Sequence, residues 1–232
     1  METLTQKLNT NAYPGRGIVL GQTRDGKQSV TAYFIMGRSV NSRNRIFAQE
    51  PDGIRTEAFD PSKMEDPSLI IYHPVRQVGR SLIVTNGDQT DTIRDFIEKG
   101  MPMMQALRTR EFEPDRPNWT PRISGLLAHD GSYKLTILKS ADAEGTVCLR
   151  QLFEYPGQPG IGHFIHTYQG DGNPLPSFAG EPELVPVEET DIDAYTDMVW
   201  NALNADNKVS LYVRFTDLAT GEFAERIVNK NQ

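Results

Sequence analysis

The sequence predicts an α+β domain built on extensive antiparallel sheet, in more than one sheet, with helices covering the outer faces. Three observations lead there. About ten short runs of aliphatic, β-branched and aromatic residues are bounded by turns containing Gly, Asn or Asp. Roughly two or three stretches carry helical periodicity. Those stretches stand between groups of hairpins and do not alternate with single strands, which argues against a Rossmann or barrel arrangement.

Residues 1–12 are polar and predict a loosely held lead-in. Tyr13-Pro14-Gly15-Arg16-Gly17 is a turn signal that opens onto the apolar Ile18-Val19-Leu20-Gly21. Asp25-Gly26 supplies a hairpin turn, and Val30 to Met36 reads as the returning strand. Gly37 then leads into a loop carrying Arg38, Ser39, Arg43, Asn44 and Arg45. Gln49 to Glu57 reads as a polar segment with an Asp52-Gly53 turn, and residues 60–67 as a polar connection. Leu69 to Tyr72 and Ser81 to Thr85 read as strands.

Ile93, Phe96 and Ile97 have helical spacing, with Asp88 or Thr90 as a cap and Gly100 as a stop. Pro102 to Arg110 predicts a second short helix, whose methionines read as core packing. Residues 111–122 carry three prolines and predict an irregular crossing. Four strands are expected over 123–129, 133–139, 146–155 and 161–168. Gly170 to Pro186 reads as a long ordered surface loop, and 188–204 as an amphipathic helix with Asp191 and Asp193 at its positive end. Val209 to Phe215 and Phe223 to Val228 form a closing hairpin. No composition shift divides the chain, so residues 1–232 read as one domain.

The net charge of -7 argues against a general nucleic-acid binder. The sequence shows no apolar run of membrane-spanning length and no signal region, so a cytoplasmic protein is expected. The single cysteine, Cys148, reads as a structural thiol and excludes an intramolecular disulfide. Nucleotide-binding glycine motifs, zinc-protease motifs and a nucleophile elbow are absent. His163 and His166 would face opposite sides of a strand, which is poor geometry for one shared metal. No metal and no cofactor are expected. In an acidic chain, the dense arginine loop at 38–45 asks for a local anion. Asn86-Gly87, between a strand and a helix, could cradle a polar or anionic ligand. Arg122 stands at another strand entrance.

The pieces YPGRGI (13–18), YFIMGRSVNSRNRIF (33–47), IVTNGDQTDTI (83–93) and TPRISGLL (120–127) resemble the archaeal-type IMP cyclohydrolase family. PGIGHFIHTYQGDGNPLPSF (159–178) is similar to the bacterial branch of that family. The resemblance implies a four-layer α/β/β/α fold like that of N-terminal-nucleophile hydrolases, without their nucleophile; Met1 is followed here by Glu2. It implies closure of 5-formamidoimidazole-4-carboxamide ribonucleotide to IMP and water, with no metal or other cofactor. The implied partner is a purine ribonucleotide, with no nucleic acid and no membrane, and a homo-oligomer is consistent with the family. In that light Arg38, Arg43 and Arg45 divide phosphate binding and carboxamide orientation, with Ser39, Asn44 and Gly87 adding hydrogen bonds. Tyr72 and Asn86 surround the reacting groups, Glu113 handles protons, and Arg122 orients that carboxylate or touches the base. Glu111 and Asp115 rival Glu113, because the spacing to Thr120 is longer than in the archaeal pattern. Two other readings stay open: a nucleotide-binding regulatory module, and a hydrolase of another cyclic amide.

Overall fold

The computed structural model describes residues 1–64, 67 and 69–231. Its pairing starts from tight turns. Gly26, at φ 69°, takes the left-handed conformation that lets β1 (Arg16–Gln22) fold back as β2 (Gln28–Met36). β10 (Ile161–His166) lies against β1, and β11 (Glu183–Pro186) lies outside it. β12 (Lys208–Asp217) lies against β2, with β13 (Phe223–Asn229) at the far edge. The first sheet therefore runs β11-β10-β1-β2-β12-β13.

The second sheet follows chain order. It comprises β3 (Arg45–Glu50), β4 (Gly53–Ala58), β5 (Val75–Val78), β6 (Ser81–Thr85), β7 (Arg122–Leu127), β8 (Tyr133–Ser140) and β9 (Cys148–Tyr155). All these pairings are antiparallel. Helices α3 (Gln89–Glu98) and α4 (Met103–Leu107) are inserted between β6 and β7.

Alternation along the strands sorts the side chains into layers. Ile18, Leu20, Tyr33 and Ile35 face Val84, Ile123, Leu135 and Ile137 between the sheets. Val19, Phe34, Leu211 and Val213 point the other way, under α1 (Leu4–Thr10) and α5 (Ile192–Ala202). Ile83 and Leu138 meet Ile93, Met103 and Leu107 of α3 and α4. The order is helix, sheet, sheet, helix. Both faces of β2 are covered, so it reads as a continuous apolar run rather than an alternating one.

Several expectations need correction. Residues 1–12 are not a loose lead-in. Thr3 and Gln6 close a capping box on α1, and Leu4 and Leu8 are buried against the α5 layer. Leu69 to Tyr72 is not a strand. Ile70 and Tyr72 are buried, but the backbone there is satisfied by Thr56, whose hydroxyl donates to the Ile70 carbonyl at 2.7 Å. Strand structure starts only after Pro74. The polar segment 49–57 belongs instead to the β3–β4 hairpin, polar because part of it faces solvent. Asp88 precedes α3 without capping it. The end of the 170–186 loop is β11. Of the polar connection at 60–67, Glu65 and Asp66 lie outside the described residues. No helix among the described residues is long and apolar enough to cross a membrane.

Candidate active site

The strand register gathers the candidate residues at one end of the sandwich. Arg16 opens β1 opposite Ile35, next to the pair Gly17 and His166. Arg45 opens β3, Tyr72 lies just ahead of β5, Asn86 follows β6, and Arg122 opens β7. The chain beyond β10 brings Tyr168 to the same end, where its phenol meets Thr120.

The arginine loop is more structured than its composition suggests. Ser39 caps a single helical turn, α2 (Val40–Arg43), through reciprocal bonds with Ser42. Arg38 donates to the Gly172 carbonyl at 2.9 Å, pairs with Asp171 and lies over the Tyr13 ring. Arg43 donates to Gly37 O at 2.9 Å and to Asn207 Oδ1 at 3.2 Å. Asn44 is tied to the backbone of Asp60: its amide donates to Asp60 O at 2.8 Å, and its carbonyl accepts from Asp60 N at 2.7 Å. Arg45 is fully buried and donates to Ser42 O at 2.8 Å and Met36 O at 3.3 Å.

The sequence reading missed Arg16 as a site residue. Its guanidinium is largely buried near that of Arg45. Burial, and then repulsion from Arg16, lower the pKa of Arg45. Arg16 Nε and Arg45 Nη1 are both buried without a protein acceptor among the described residues. Two such cationic donors are costly unless an acceptor joins them. The available signal was an arginine held between Gly15 and Gly17 at a strand entrance. Gly15 has φ 79°, and a Cβ there would come within 2.3 Å of Thr167 Oγ1 and 2.5 Å of the Tyr168 ring.

Glu113 is 2% exposed, and its carboxylate lies 3.9 Å from Arg16 Nη2. Burial pushes its pKa up to about 7, against the opposing pull of Arg16 and then Arg122. At 3.9 Å the pull of Arg16 on Glu113 is weaker than the effect of burial, although Glu113 in turn helps hold Arg16 charged against its own burial. Of its rivals, Glu111 is exposed, and Asp115 accepts from the Thr120 amide at 2.7 Å and from its hydroxyl. Thr120 also bonds the Tyr168 phenol. Tyr33 and Tyr72 share a buried bond of 2.8 Å between their hydroxyls.

Asn86 and Gly87 build the wall behind these groups. Asn86 Nδ2 donates to Pro121 O at 2.9 Å, while its Oδ1 accepts from Ile123 N at 2.8 Å and Gln89 Nε2 at 3.1 Å. Gly87 N is engaged by Thr85. A Cβ at Gly87 would lie 2.4 Å from Arg122 Nη1, so glycine is needed for that approach. Arg122 donates to Gln89 Oε1 at 2.7 Å and pairs with Asp88 at 2.8 Å.

His163 and His166 do face opposite sides. His163 bonds the Tyr133 hydroxyl at 2.7 Å and stacks on Tyr155. His166 Nδ1 donates to Tyr168 O at 2.7 Å. That bond fixes the backbone of Tyr168, and burial lowers the His166 pKa to about 4. The arrangement thus offers buried cationic donors, a carboxyl poised near neutrality and a set of phenols.

A family model described as IMP cyclohydrolase-like protein matches residues 13–221. The chain is 29% identical over 161 residues to an IMP cyclohydrolase of Methanococcus aeolicus, covering 68% of this chain and 74% of that protein. It is 38% identical over 128 residues to one from Methanococcus maripaludis strain C6, covering 52% and 61%. For one from Halobacterium salinarum strain R1 the figures are 33% over 135 residues, 56% and 64%. The latter two matches span less than two thirds of those relatives.

Proposed function

The chain belongs to the IMP cyclohydrolase-like family, and from that premise we propose that it interconverts 5-formamidoimidazole-4-carboxamide ribonucleotide and IMP plus water. The observation that carries the site assignment is the buried pair Arg16 and Arg45, each with a guanidinium nitrogen lacking a protein acceptor among the described residues, beside Glu113.

Ring closure makes one C–N bond and expels water. The carboxamide nitrogen adds to the formyl carbon, and the formyl oxygen gains negative charge. Donors already in place stabilise that charge without reorganising. Arg16 and Arg45 supply them. The carboxamide nitrogen gives up one proton, which makes the oxyanion a hydroxyl; as the formamido nitrogen gives up its own proton and forms the ring C=N bond, the hydroxyl gains a second proton and the C–O bond breaks to release water. A carboxyl with a pKa of about 7 can both accept and return a proton near neutral pH. Glu113 takes that part. The reaction joins two groups of one molecule, so alignment carries much of the rate. The hydrogen-bonded Tyr72 and Tyr33 and the Arg122–Gln89 wall provide it.

Arg38 and Arg43, on the more exposed rim, meet the ribose phosphate; Ser39 and Asn44 hold their loop in shape. Asn86 and Gly87 act as positioning residues for Gln89 and Arg122. The same reading places the protein in the cytoplasm, where purine nucleotides are made. Incubation of the purified protein with the formamido nucleotide should produce IMP, followed by its ultraviolet absorbance. Tight IMP binding without turnover would instead identify a regulatory nucleotide binder.

A further inference from the structure

The opposite end of the sandwich, remote from Arg16 and Glu113, holds a polar cleft. It has a volume of about 240 Å³ and lies between the sheets, where the β5–β6 and β7–β8 turns approach the end of β12. Its walls include Gln77, Arg80, His129, Arg214, Thr216 and Asp217.

Arg214 is only 6% exposed. Its Nε donates to Thr216 Oγ1 at 3.2 Å, its Nη2 donates to Gln77 Oε1 at 2.9 Å, and the Phe223 ring covers it with 3.5 Å between Cζ and the ring centroid. The guanidinium is thus held rigidly by neutral groups. It forms no salt bridge among the described residues, although Glu50, Asp52 and Glu225 line an adjoining cleft with it. Glu225 stands opposite it in the β12–β13 register, but that carboxylate takes the Tyr212 hydroxyl at 2.8 Å and the Gln49 amide. The Asp217 carboxylate accepts from Ala219 N at 2.9 Å, Thr220 N at 2.8 Å and Thr220 Oγ1 at 3.1 Å, which commits it to the β12–β13 turn. Arg80, on the exposed β5–β6 turn, likewise forms no ion pair among the described residues.

A buried, immobilised cation with no direct ion pair is unfavourable until an anion supplies one. A forked guanidinium suits the oxygens of a phosphate group, and a second arginine on the neighbouring exposed turn can close over the other side. The cleft is smaller than the roughly 300–1,000 Å³ of pockets that enclose whole drug-sized ligands. We propose that this pole binds a small phosphate-class anion, of the size of phosphate or pyrophosphate, between Arg214 and Arg80.

Calorimetric titration of the full chain with pyrophosphate tests this. Arg80→Ala and Arg214→Gln should each weaken one binding event by about tenfold or more, while Arg16→Gln leaves that event in place. Arg80→Ala, at an exposed turn, keeps the test informative if Arg214→Gln does not fold. The proposal is overturned if no pyrophosphate binds, or if all binding disappears in Arg16→Gln and is unchanged in Arg80→Ala.

Discussion

Glu113 and Arg45 show how burial, more than residue type, separates candidate site residues from their neighbours. A glutamate carboxyl ordinarily titrates at 4.5, and burial raises that of Glu113 to about 7. The unfolded carboxyl therefore releases its proton near pH 4.5, while the folded one keeps it until about 7. The folded chain binds the extra proton in that window, so this group's contribution to stability declines as pH rises from 4.5 to about 7, by roughly 3 kcal/mol in all. In Glu113→Gln that decline should vanish, seen as a rise in variant relative to wild-type urea midpoint between about pH 4.5 and pH 8. The same variant should lose about 100-fold or more in kcat, along with any inflection near pH 7 in the rate profile. Retention of that inflection would move the proton-transfer role elsewhere. Arg45→Gln should lower kcat/KM by about tenfold or more, because it removes a buried charged donor. A matching loss in Arg43→Ala confined to KM would fit its place on the exposed rim.

Among the elements, legibility depended on whether a signal was local. The β1–β2 hairpin was readable because Asp25-Gly26 announces its turn. α5 was readable because its apolar face repeats with helical period and Asp191 caps it, accepting from Ala194 N at 2.8 Å. Leu69 to Tyr72 misled because apolar residues mark burial, whereas strand formation also requires a neighbouring ladder; here Thr56 supplies the bonds. The Arg38 to Arg45 loop was recognisable as a cationic feature. Its division into exposed and buried arginines was not, since that depends on β3 beginning at Arg45. Arg16 was passed over because its surroundings come from Tyr168, Glu113 and Arg45, all distant in sequence. Gly87 looked like an anion cradle and proves to be clearance for Arg122. Gly87→Ala should therefore displace Arg122 from Gln89, lower the thermal midpoint and reduce kcat several-fold; a crystal structure of the variant would show the shifted guanidinium.

At the scale of the whole molecule, the two sheets are held apart from solvent by helical layers of very different origin. α3 and α4 are local inserts beside the strands they cover. α1 comes from the N-terminal end and packs with α5, near the other end of the chain, over β1, β2 and β12. A short amphipathic helix of this kind has little stability alone. Its order must come from Leu4 and Leu8, which are 3% and 2% exposed. Removing a buried leucine side chain costs about 2–5 kcal/mol when the neighbours cannot collapse into the space. Leu8→Ala should thus destabilise the entire domain by an amount in that range, measured by urea unfolding. Thr3→Ala, which removes only the cap, should cost about 1 kcal/mol. If residues 1–12 were the loose lead-in that their polarity suggests, both substitutions would leave the midpoint unchanged. The consequence reaches the candidate site, because Tyr13-Pro14-Gly15 leads directly from α1 into Arg16. Loss of the α1 anchor should therefore raise KM in Leu8→Ala even at temperatures where the chain remains folded, through misplacement of the Arg16 guanidinium.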